Sequence, residues 1–114
     1  MKIQSNYRPI IRDGGEIGYL QLVKDSRLLF PEIEYLLDEN YWNQGIMSEE
    51  LPKYLDYLRS ENITRLHALV EVKNKYSQRL LTKYFAKTKV IDDIVHYMTD
   101  LTMDIKYVKL IEKL

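Results

Sequence analysis

The chain has 114 residues, of which 46% are hydrophobic and 30% charged, a length and balance that suit a folded domain with its own core and exclude a disordered chain. Lys plus Arg and Asp plus Glu number 17 each, so overall charge gives no reason to expect a nucleic-acid face. Cysteine is absent, which excludes disulfides and thiolate metal sites.

The two histidines, His67 and His96, are too few and too far apart to propose a metal cluster. No apolar run is long enough to span a bilayer, and the first residues lack the apolar stretch of a signal peptide. The expectation is one cytoplasmic domain over residues 1–114, without membrane or nucleic-acid partners. The ten tyrosines are expected to pack amphipathically on strands and at interfaces.

In chain order, residues 7–12 and 16–23 read as a hairpin about Asp13-Gly14-Gly15, residues that supply the positive φ of a tight turn. A second turn at residues 24–27 leads to a third strand at 32–37, which alternates and then becomes apolar. Residues 38–45 form a loop. A helix follows to residue 60, with Leu51, Tyr54, Leu55 and Leu58 on one face and Ser48 as its expected N-cap. A strand at 65–72 carries Leu66, Ala68 and Val70 on one side. Asn74 is placed to cap a second helix running through Tyr84, whose apolar face holds Leu80, Leu81 and Tyr84, with Tyr76 near its start. From Ile91 to Ile111 apolar residues fall at helical spacing, yet Ile94 and Val95 suit a strand. We read a strand near 93–99 and a helix from about Thr102. The order β-β-β-α-β-α is a mixed α/β plan.

Two stretches carry a family resemblance. Glu32-Ile33-Glu34-Tyr35-Leu36-Leu37 followed by Tyr41-Trp42-Asn43-Gln44-Gly45-Ile46-Met47-Ser48-Glu49 resembles the GNAT N-acetyltransferases of the ribosomal-protein-type branch, where an apolar strand end leads through Tyr-Trp-x-x-Gly-x-x-x-Glu into a helix. Asn74-Lys75-Tyr76-Ser77 before Leu80-Leu81 resembles the Asn-x-x-Ser that opens the last core helix of that family. The resemblance covers residues 10–84 and implies a GNAT-like mixed, mostly antiparallel sheet with flanking helices, in a short form lacking the usual N-terminal elements.

It also implies a chemistry. Acetyl-CoA would be the cosubstrate, with its pyrophosphate at the glycine-led helix start formed by Trp42, Asn43, Gln44, Gly45, Ile46, Met47 and Ser48. Free backbone N–H groups and the helix dipole attract anions there. The pantetheine arm would lie along Tyr35, Leu36 and Leu37, between strands 32–37 and 65–72, beside Asn74 and Ser77. Backbone N–H groups around Leu36 and Leu37 would face the thioester oxygen. Glu34 or Glu71 would act as general base toward an amine acceptor; His67 is a further candidate base that also suits a plain strand histidine. Departures from the family pattern are Met47 after the glycine, Pro52 in the helix, Glu49 and Glu50 near a phosphate, Leu81 where many relatives hold a general-acid tyrosine, and Tyr84-Phe85 without glycine. Tyr76 and Tyr84 are other possible proton donors. The alternative reading is a non-catalytic GNAT-like module that binds coenzyme A or a protein partner. The expected edge at residues 7–12 suggests a homodimer.

Overall fold

The computed structural model describes residues 2–114. The fold is mixed α+β, with six strands and three α-helices, and it divides into a compact unit ending at Asn62 and a second unit, Ile63–Leu114.

In the first unit, β1 (Lys2–Arg12) and β2 (Gly15–Asp25) pair antiparallel, and β2 pairs antiparallel with β3 (Glu32–Leu37). The hairpin turn is two residues, Asp13 at φ 52° and Gly14 at φ 78°, the positive pair that matches the strand twist. β1 begins earlier than the pattern suggested. Its polar Ser5-Asn6 segment forms a bulge, with Asn6 at φ 55°, and helix α1 (Ile46–Ser60) holds that bulge. The buried Tyr54 hydroxyl donates to the Asn6 carbonyl at 2.8 Å, Asn6 Nδ2 donates to Tyr57 Oη at 3.2 Å, and the Arg8 guanidinium lies 4.2 Å over the Tyr57 ring. Leu20, Leu22 and Ile33 from the strands and Leu51, Leu55 and Leu58 from α1 are buried.

The start of α1 departs from expectation. Its N-cap is Gly45 and not Ser48, which is the third helical residue. Gly45 has φ 72°, a conformation that glycine adopts without a Cβ penalty. Buried Ile46 and Met47 anchor the first turn, so helical structure begins where the apolar contact begins. Pro52 lies inside the helix, where it can donate no bond to the Ser48 carbonyl.

In the second unit, β4 (Arg65–Glu71) pairs antiparallel with β6 (Ile94–Asp100), and β6 with β5 (Ala86–Ile91). Leu66, Ala68 and Val70 are buried, as their alternation required. Helix α2 (Lys75–Thr82) buries Ser77, Leu80 and Leu81. It stops short of Tyr84, and Tyr76 is exposed; Phe85, fully buried just past the helix, fills the apolar role expected of Tyr84. The strand expected near 93–99 is present as β6, while β5 before it was not expected; Asp92 and Asp93 turn the hairpin between them at φ 50° and 65°. The last segment is one turn, α3 (Ile105–Val108), then a 3-10 stretch Lys109–Lys113. It lies against β5, where Glu112 accepts the Lys87 backbone N–H at 2.9 Å. Among the described residues no helix is long and apolar enough to cross a membrane.

Candidate functional site

In the first unit, the turn between β3 and α1 is built by short polar contacts. Asp38 accepts from the Asn40 N–H at 2.9 Å, the Tyr41 hydroxyl donates to Asp13 at 3.0 Å, and Gln44 Nε2 donates to the Asn40 carbonyl at 3.4 Å. Exposed Trp42 donates its indole N–H to the Leu37 carbonyl at 2.8 Å, which ties the loop to the end of β3. Asn43 adopts φ 62° ahead of left-handed Gly45. No side chain caps α1, so the N–H groups of Ile46, Met47 and Ser48 open its first turn without the side-chain acceptor that commonly satisfies them. The two acids near this helix start are each ion-paired. Glu49 pairs with Lys53 at 3.1 Å, and that hydrogen bond holds its carboxyl below the ordinary value; Glu50 pairs with Arg12 at 3.3 Å.

Along β3, Leu36 is exposed while Tyr35 and Leu37 are half-buried. Gly18 stands opposite Leu37. A Cβ there would fall inside contact distance of the Leu36 carbonyl oxygen and 3.0 Å from Leu37 Cα, so only glycine permits this approach. Glu34 accepts from Gln21 Nε2 at 2.6 Å and from the Tyr19 hydroxyl at 3.4 Å. Tyr19 stacks on Tyr7 with ring centres 5.5 Å apart, and Tyr7 donates to Glu16 at 2.7 Å. Half-buried Glu32 has its carboxyl raised, first by burial and then by the Glu34 charge. Gln21, Tyr19 and Glu32 were not singled out from the sequence. The signal lay in the register: the hairpin and the turn after it set Gln21 opposite Glu34.

In the second unit, Asn74 Oδ1 accepts the Ser77 N–H at 3.1 Å, so Asn74 is the helix cap, and its exposed amide end remains a donor. Gln78 reaches back to the Val72 and Glu71 carbonyls at 2.5 and 3.3 Å, fixing the end of β4. Glu71 is exposed and pairs with Lys73 at 3.4 Å. His67 and His96 both have their imidazoles held below the ordinary value, mainly by burial, with Lys89 adding repulsion. Leu81 is fully buried and takes part in packing. Among the described residues no group of three metal-ligating side chains exists. The sequence-selected residues thus form two sets. Glu34, Tyr35, Leu36, Leu37 and Trp42 through Ser48 lie in the first unit; Glu71, Asn74 and Ser77 lie in the second.

A strand ending at a glycine-led, side-chain-free helix start, with an Asn-capped second helix after the next strand, defines an acetyltransferase domain of the GNAT type. The chain belongs to that family: the acetyltransferase (GNAT) domain profile matches residues 2–84. It is similar to the N-acetyltransferase p20 of Bacillus licheniformis, at 39% identity over 64 residues, which are 54% of this chain and 36% of that protein. The fold matches RimL, a ribosomal L7/L12 alpha-N-protein acetyltransferase, with TM-score 0.70 and 21% identity over 82% of this chain and 59% of that one. It matches an N-acetyltransferase from Staphylococcus aureus Mu50 with TM-score 0.70 and 18% identity, over 82% and 66% of the two chains. PaiA N-acetyltransferase from Thermoplasma acidophilum, solved with coenzyme A, matches with TM-score 0.70 and 14% identity, over 83% and 60%. The chain therefore spans 36% of the curated relative and 59% of RimL.

Proposed function

We propose that this chain is an acyl-CoA-dependent N-acetyltransferase that moves an acetyl group from acetyl-CoA to an amine. The observation that carries the reading is the start of α1: left-handed Gly45, no side-chain cap, and neighbouring acids already paired with cations. That donor set fits a pyrophosphate, which needs backbone N–H groups and no competing carboxylate. Gln44 through Ser48 would hold it, and Tyr35, Leu36 and Leu37 would line the pantetheine arm; Asn74 and Ser77 are coenzyme contacts we propose from the family resemblance alone. Acetyl-CoA, when bound, supplies the activated acyl group.

Glu34 is the base we assign. Gln21 and Tyr19 hold its carboxylate in one orientation while leaving it acceptor capacity for an amine proton. Glu71 is the weaker choice, because it is exposed and beside Lys73. The Tyr41-Trp42 run before Gly45 supports the ribosomal-protein-type branch. Cytoplasmic homodimers are the form we propose; the dimer is supported by β1, whose only ladder among the described residues is with β2 and whose Ile3, Tyr7 and Ile11 are exposed.

Calorimetry with coenzyme A on the parent chain and Gly45→Val tests the site. Valine at a left-handed position with a phosphate above it is expected to weaken binding at least about tenfold; equal affinities would remove the pyrophosphate from this loop. Fully buried Leu81, where many members of the resembled family hold a general-acid tyrosine, favours a second reading as a non-catalytic coenzyme-binding module. Binding without thiol release from acetyl-CoA, across a panel of amines, would select that reading.

A further inference from the structure

The unit Ile63–Leu114 carries ten Lys and Arg against six Asp and Glu, a net charge of +4, although the whole chain is neutral. Three of these cations converge on one groove of about 440 Å³. It is lined by Lys75, Gln78, Arg79 and Thr82 of α2, Lys87 at the start of β5, and Tyr97 of β6. Lys75, Arg79 and Thr82 follow the i, i+4, i+7 spacing of one helix face. No carboxylate lines the groove.

Among the described residues, none of Lys75, Arg79 and Lys87 forms an ion pair within the unit, although the Glu112 carboxylate lies beside the Lys87 backbone. Glu71 pairs with Lys73 at 3.4 Å, and Glu112 serves Lys109 at 3.5 Å and the Lys87 backbone N–H at 2.9 Å. Tyr97, at the floor, is 3% exposed. Three like charges around a concavity repel one another, and an anion that spans them relieves that repulsion.

We propose that this groove is a binding site for a small molecule bearing at least two phosphate groups. Arg79 offers a planar fork that takes phosphate bidentately, and the two lysines act as point charges on either side. A single negative charge is too little, since an exposed ion pair contributes at most about 1 kcal/mol. The volume suits a small ligand. None of the lining residues belongs to the coenzyme contacts assigned above, so the site is independent of the transferase reading.

Titration with inorganic pyrophosphate, with orthophosphate as comparator, tests this at low salt by calorimetry on four proteins: the parent, Arg79→Gln/Lys87→Gln, Lys75→Gln and Gly45→Val. All the groove substitutions are at exposed positions, and melting curves verify folding. Pyrophosphate is expected to bind the parent more tightly than orthophosphate. Affinity should fall at least about tenfold in the double variant and several-fold in Lys75→Gln, and weaken as salt rises. The groove's own affinity should be unchanged once the Gly45 loop, which itself fits a pyrophosphate, is removed by Gly45→Val or filled by saturating coenzyme A. Absence of millimolar binding to the parent, binding that survives the double variant, or displacement by coenzyme A would each overturn the proposal, the last by assigning the phosphates to the coenzyme site.

Discussion

Glu34 lies within β3 and Glu71 is the last residue of β4, and their surroundings differ. Glu34 is held by Gln21 and Tyr19, whereas Glu71 is exposed beside Lys73. Glu34→Gln is therefore expected to lower turnover by about 10²–10⁴-fold while leaving coenzyme affinity unchanged, the loss usual for a general base. Glu71→Gln should change turnover less than about twofold; a steady-state series with acetyl-CoA and one accepted amine separates the two. Glu32 supplies a stability test. Its carboxyl is raised by burial and by Glu34 from an ordinary 4.5, so the folded chain holds that proton more tightly than the unfolded one. The associated stability is present below the ordinary value and is lost as pH rises through the raised one. Glu32→Gln should then raise the melting temperature at pH 7, with no gain at pH 4. Both glutamates were legible as residues of an alternating strand, yet only the pairing with β2 distinguishes their partners.

At the scale of elements, two short features govern the candidate site. Gly18 lets β2 approach the end of β3, where a Cβ would meet the Leu36 carbonyl. Gly18→Ala is expected to cost about 1–3 kcal/mol, as overpacking does, and to weaken coenzyme binding with it; chemical denaturation and calorimetry measure the two. Asn74 caps α2 through Oδ1. Asn74→Ala should cost about 1 kcal/mol, while Asn74→Asp retains the acceptor and so the stability but loses the amide donor. If Asn74 also meets the coenzyme, the aspartate binds coenzyme A less tightly in a fold that melts near the parent temperature; unchanged affinity would leave only the capping role. The cap was readable because Asn followed by Ser three residues on is a local pattern. Of the β5–β6 hairpin, the strand at 93–99 was read, but β5 was not, because Asp92-Asp93 is a weak turn signal.

For the whole molecule, β1 carries exposed Ile3, Tyr7 and Ile11 and has no ladder on its outer side in its own unit, while the C-terminal segment is engaged with β5. An edge of this kind recruits a second chain unless blocked, with Pro9 as a partial block. Light scattering at micromolar concentration should give twice 13.7 kDa, and a strictly monomeric mass would end the homodimer proposal. The sequence by itself determined the features set within a few residues: the Asp13-Gly14 turn, the alternation of β3 and β4, the apolar face of α1, the glycine before it and the cap at Asn74. Each follows from dihedral preference or side-chain period, which the chain carries locally. Only the tertiary structure decided the rest. It showed that α1 starts at Gly45, because buried Ile46 and Met47 pull the helix start forward. Phe85, not Tyr84, fills the core, and residues 86–91 are a strand, because β6, itself laddered to β4, offers them a partner. Glu34, and not Glu71, gained orienting partners, because register brings Gln21 and Tyr19 to it. These outcomes depend on contacts between residues distant in sequence, whose free energies outweigh the small local preferences.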